Sequence, residues 1–105
     1  MIFTAWNNGS SGYGFKITQS DREAYFDPQW KEVWIELPTR TENKIIRCNI
    51  NKKSFWNDTC RELISKDIRD WLMEMDLADW KKKGIKPPKF EVQQHDKNHF
   101  RVIYP

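Results

Sequence analysis

The chain has 105 residues, 38% hydrophobic and 31% charged, with a formal net charge of +3. That length allows one domain with its own core, and the six Trp, six Phe and three Tyr exclude a disordered chain, which is poor in aromatics. No apolar run approaches membrane-spanning length and the N-terminus lacks the basic-then-apolar layout of a signal peptide, so a cytoplasmic protein without a membrane partner is expected.

Ile2-Phe3-Thr4-Ala5-Trp6 reads as a strand and Tyr13-Gly14-Phe15-Lys16-Ile17 as its partner. Between them, Asn7-Asn8-Gly9-Ser10-Ser11-Gly12 is rich in residues that tolerate positive φ, which predicts a hairpin connection. A short helix follows, with Ser20 and Glu23 at capping-box spacing and Pro28 ending it; Tyr25 and Phe26 anchor it to the sheet. Glu32 to Leu37 alternates, with Val33, Ile35 and Leu37 inward and Trp34 on the wet face. Lys44 to Ile50 returns with Ile46, Cys48 and Ile50 inward, giving a second hairpin.

Ser54-Phe55-Trp56 reads as a hydrophobic staple or a short turn before the main helix. From Thr59 to Met75, Cys60, Leu63, Ile64, Ile68, Trp71, Leu72 and Met75 form an apolar stripe at helical spacing, with Thr59 and Glu62 as a capping box. Asp79-Trp80-Lys81-Lys82-Lys83-Gly84 reads as a last helical turn, with Gly84 as its stop and Pro87-Pro88 as the barrier beyond. Lys89 to Gln93 and His99 to Tyr104 alternate around a turn at His95-Asp96-Lys97-Asn98, a third hairpin. The fold class is therefore α+β: about six mostly antiparallel strands in hairpins, with one main amphipathic helix packed on the sheet. Cys48 and Cys60 fit two reduced thiols on core-facing positions.

Several of these segments together form a distributed pattern. Ala5-Trp6-Asn7-Asn8-Gly9, Gly12-Tyr13-Gly14, Asp21-Arg22 with Tyr25-Phe26, Ser54-Phe55-Trp56, Cys60 with Glu62-Leu63, Trp71-Leu72, and Pro87-Pro88 with Phe90 span nearly the whole chain. The pattern resembles a family of small, uncharacterised proteins of bacteria and their mobile elements. The resemblance implies one intact domain and transfers no catalytic residue.

The glycine loop invites a phosphate cradle, but the phosphate-loop and dinucleotide patterns both need a helix after it, and here a strand follows. A turn whose asparagines bond their own backbone is the expected role. Trp6 and Trp71 are expected in the core, whereas Trp30, Trp34, Trp56 and Trp80 lie on a polar face or at element ends. His95 and His99 are four apart but straddle a turn, so neither a metal nor a cofactor is expected. Asp21, Glu32, Glu36 and Glu91 are available carboxylates without a nuclease-like Glu-x-Lys context, and no nucleophile has an evident base.

Charge is unevenly distributed. Residues 1–80 hold 11 Lys/Arg against 13 Asp/Glu, a balance of −2, and residues 81–105 hold 7 against 2, a balance of +5. The expected function is non-enzymatic recognition. Its leading form is binding of nucleic acid or a nucleotide-like anion by Lys81, Lys82, Lys83, Lys86 and Lys89 beside Trp80. The alternative is a protein–protein inhibitor or adaptor, such as a phage-type anti-defence factor acting on a nuclease complex, with Trp30, Trp34 and Trp56 as contact residues.

Overall fold

The structure, a computed structural model, describes residues 1–104. Among the described residues, seven strands form one mixed sheet: β1 (Ile2–Asn7), β2 (Tyr13–Lys16), β3 (Glu32–Leu37), β4 (Lys44–Asn49), β5 (Glu62–Ile64), β6 (Lys89–Asp96) and β7 (His99–Ile103). Their spatial order is β4-β3-β7-β6-β1-β2-β5, antiparallel throughout except where β7 runs parallel to β3. The sheet curls until its edge strands β4 and β5 approach each other. The described residues also form four helices: α1 (Gln19–Tyr25), α2 (Lys53–Trp56), α3 (Lys66–Glu74) and α4 (Trp80–Lys83). No helix among the described residues is long and apolar enough to cross a membrane.

Alternation along the strands builds the core. Phe3 and Ala5, Val33, Ile35 and Leu37, Ile46 and Cys48, Phe90 and Val92, and Phe100 and Val102 all turn to the inner face and are buried. From α3, Ile68, Trp71 and Leu72 meet them, spaced i, i+3 and i+4 and each 0% exposed. Aromatic rings do much of the filling: Phe15 lies edge-on to both Trp71 and Phe90, and Phe26 stacks on Phe100 at 4.8 Å. The Trp71 indole, otherwise a buried polar cost, donates its Nε1–H to the Pro38 carbonyl at 2.7 Å.

The main helix differs from its sequence expectation. Helix begins at Lys66, and residues 62–64 form the edge strand β5 instead of a helical first turn. Three local features explain this. The Asn57 side chain accepts the Thr59 and Cys60 N–H groups in an Asx turn, so Thr59 does not cap a helix. Arg61 stands at φ 56°, in the left-handed region, which interrupts any helix through it. Leu63 pairs with Phe15 across β2 and is fully buried there. Ser65 provides the true cap, its Oγ accepting from the Asp67 N–H.

Smaller corrections follow the same logic. Thr18, not Ser20, caps α1 through the Asp21 N–H, and Phe26 is buried while Tyr25 is exposed. The third hairpin is tighter than expected, turning at Lys97-Asn98 with a bulge between Gln94 and Asp96, so His95 and Asp96 belong to β6. Cys48 is buried, and Cys60 is only half-buried on the loop before β5; both are free thiols. Burial pushes the Cys48 thiol up from 9.0 to about 12.

Candidate nucleic-acid interface

The lysine segment is placed by its one tryptophan. Trp80 is 5% exposed and lies edge-on to Tyr13 at 6.0 Å, so the single turn of α4 is fastened through that ring. With Trp80 inward, Lys81, Lys82 and Lys83 are all exposed. Gly84 at φ 65° closes the turn, its N–H reaching the Lys81 carbonyl while the Ile85 N–H reaches that of Trp80. The chain then leads through exposed Lys86 and Pro87-Pro88 to Lys89, the exposed first residue of β6. None of the five lysines forms an ion pair among the described residues. Trp80, expected at an element end as part of the lysine surface, is instead buried against Tyr13 and anchors the turn, and half-buried Tyr13 is the ring at this rim.

The fold brings the lysines to the glycine loop, a pairing that linear distance conceals. Asn7, Gly9, Ser10, Tyr13, Asp79, Lys81 and Lys82 line a cleft of about 210 Å³, and Lys81 Nζ lies 3.4 Å from Asn7 Oδ1. The loop itself is a turn. Asn8 Oδ1 accepts from the Ser10 and Gly12 N–H groups at 2.9 and 3.2 Å and from Ser10 Oγ at 3.0 Å. Asn7 Oδ1 takes the Gly9 N–H, and its Nδ2 donates to the Ser10 and Gly12 carbonyls. The donors that an anion nest needs are occupied by the protein's own carboxamides. Gly9, at φ 91°, supplies the left-handed residue of the turn.

The other tryptophans separate by register. Trp71 is core as expected, but Trp6 is not: it alternates with Phe3 and Ala5, and so stands half-exposed on the outer face of β1. Its strand position signalled β structure, and only the parity relative to Phe3 could have signalled its face. Trp30 is half-buried, edge-on to Phe26. Trp56 is half-buried with its Nε1–H donated to the Ile50 carbonyl, beneath the Arg22 guanidinium at 5.6 Å. Of the three protein-contact candidates, Trp34 alone lies on a strand's outer face. There it stacks with His99 at 6.1 Å and borders a pocket of about 230 Å³ with Glu36, Ile45, His95 and Arg101.

The four candidate carboxylates sit apart in role. Glu36 is paired with Arg101 and accepts from Asn43, Glu32 pairs with Arg47, Asp21 accepts the Ile2 N–H, and Glu91 is exposed on β6. His95 and His99 flank the β6–β7 turn on strands, and no cluster of three metal-ligating side chains occurs among the described residues. Compared with protein-family models, curated proteins and solved structures, the chain matches none.

Proposed function

We propose that this protein is a recognition module that binds nucleic acid or a nucleotide-like anion through the surface formed by α4 and the start of β6. The observation carrying this reading is the set of five exposed lysines, Lys81, Lys82, Lys83, Lys86 and Lys89, within nine residues and without a carboxylate partner among the described residues. Such a local excess attracts a polyanion more strongly than a net charge of +3 spread over the surface. Buried Trp80 supports it further, because a fixed turn spares the lysines part of the ordering cost of binding. Tyr13, half-exposed at the cleft, supplies a ring that a base can meet.

Titration of fluorescent DNA and RNA across a salt series tests the reading. Three phosphate contacts give a slope of log affinity against log salt of about −2 to −3. Replacing Lys81, Lys82 and Lys83 with Gln flattens that slope at unchanged melting temperature, because these side chains are solvated. Absence of any DNA or RNA binding at low salt would refute it.

A second reading, a protein–protein inhibitor or adaptor of the anti-defence kind, has its own support on the opposite part of the sheet. Around Trp34 and His99 the neighbouring charges are already paired, Arg101 with Glu36 and Arg47 with Glu32, and Ile45 is 61% exposed. A neutral surface with an aromatic pair and an exposed aliphatic side chain suits a protein partner better than a phosphate backbone. Capture from nuclease-treated host lysate that is lost in Trp34→Ala is the result this reading requires.

A further inference from the structure

On the outer face of β6, β1 and β2, Ile2 and its partner Glu91 are exposed and Thr4 and Trp6 are partly exposed. The register assembles a specific group there. Thr4 stands opposite Lys16 on β2 and opposite Lys89 on β6, so the two lysines flank it on one face. Trp6, two residues along β1, shares that face. Its partner on β2 is Gly14, which brings no side chain against the indole at that position, and Ile64 lies beyond it on β5. Lys89 is also the last of the five exposed lysines that lead from α4 into β6. Glu62 lies across from Lys16 on β5, yet it is 8% exposed and forms no ion pair among the described residues.

We propose that this face takes single-stranded nucleic acid, with one base stacked on Trp6 and adjoining phosphates on Lys16 and Lys89. The inference rests on the nucleic-acid reading above and adds to it the strandedness of the ligand and the platform for its base. The chemistry favours a single strand. A base lies flat on an indole only when it is free of its neighbours, whereas duplex bases are stacked and offer only edges. Flanking ammonium groups meet the backbone on either side of such a base, and the sequence-tolerant π contact needs no base-specific hydrogen bonds.

The test is anisotropy with a labelled twelve-nucleotide single strand, as DNA and as RNA, and with the matching duplex, using the full chain at low salt. The single strand is expected to bind at least tenfold more tightly than the duplex. Trp6→Leu, which keeps apolar bulk but removes the stacking ring, should weaken single-strand binding by roughly tenfold and leave the duplex unchanged. Lys16→Gln with Lys89→Gln should weaken the single strand and reduce the salt slope by about 1 to 2. Equal binding of single strand and duplex overturns the inference, as does wild-type affinity in a folded Trp6→Leu protein. If Trp6→Leu does not fold, the double lysine variant decides, and its unchanged affinity is equally fatal. Binding abolished by Gln at Lys81, Lys82 and Lys83 but indifferent to every change on the sheet removes this inference and leaves the broader function standing. No binding of any nucleic acid removes both.

Discussion

Gly14→Ala tests the part of the fold that the sequence concealed. Gly14 lies inside the sheet, opposite Trp6 on β1 and Ile64 on β5. A Cβ there would sit 2.2 Å from the Leu63 carbonyl oxygen, 3.0 Å from its carbon and 3.1 Å from Ile64 Cα. Every one of these atoms is backbone, so no rotamer change relieves the clash, and β5 must retreat by about 1 Å or more. Overpacking of this kind costs about 1–3 kcal/mol. Among the described residues β5 pairs only with β2, and it delivers fully buried Leu63 onto the core, so its retreat also exposes part of that side chain, which adds about 1 kcal/mol. The expected loss is therefore about 2–4 kcal/mol, or roughly 8–16 °C in melting temperature for a domain of this size. Gly9→Ala provides the comparison: nothing lies within 4 Å of its Cβ, and only the φ of 91° resists, for about 1 kcal/mol. Thermal and urea melts followed by circular dichroism should rank wild type above Gly9→Ala above Gly14→Ala. A Gly14→Ala protein melting within about 2 °C of wild type would refute the close β2–β5 approach.

The remaining predictions concern the core and the thiols. Leu72→Ala, at a fully buried position on α3, should cost about 2–5 kcal/mol in urea unfolding. Arg22 is 5% exposed and donates from one guanidinium nitrogen to the Phe55 and Asn57 carbonyls at 2.9 and 2.6 Å, so Arg22→Met should lose about 2–3 kcal/mol and loosen α2 against α1, read by hydrogen exchange. Under native conditions a thiol reagent should modify Cys60 and spare Cys48 until the protein unfolds. Because burial raises Cys48 to about 12 from 9.0, the unfolded chain releases that proton first, and stability falls as pH rises from about 9 toward 12. Cys48→Ala should make that alkaline decline shallower.

Much of the architecture was legible in the sequence because it is local. Val33, Ile35 and Leu37, and likewise Ile46, Cys48 and Ile50, are spaced two apart, and a strand with one buried face must read that way. The glycine loop was equally legible as a turn, since Asn7 and Asn8 satisfy its backbone with side chains only two to five residues away. The exposure of Lys81, Lys82 and Lys83 follows from their charge alone.

What tertiary structure decided is where periodicity was ambiguous or partners were distant. Leu63, Ile64 and Ile68 fit a helical stripe, but Leu63 gains more by pairing with Phe15, and Asn57 and Arg61 have already broken the helix before it. The parallel insertion of β7 between β3 and β6 depends on contacts across most of the chain, beyond any local pattern. Trp6, expected in the core, turned outward, and Trp80, expected at an element end, was buried, for the same reason. A tryptophan's character suits both a core and a platform, and what places it is the surface opposite: Tyr13 closes over Trp80, while Gly14 offers Trp6 no side chain at all.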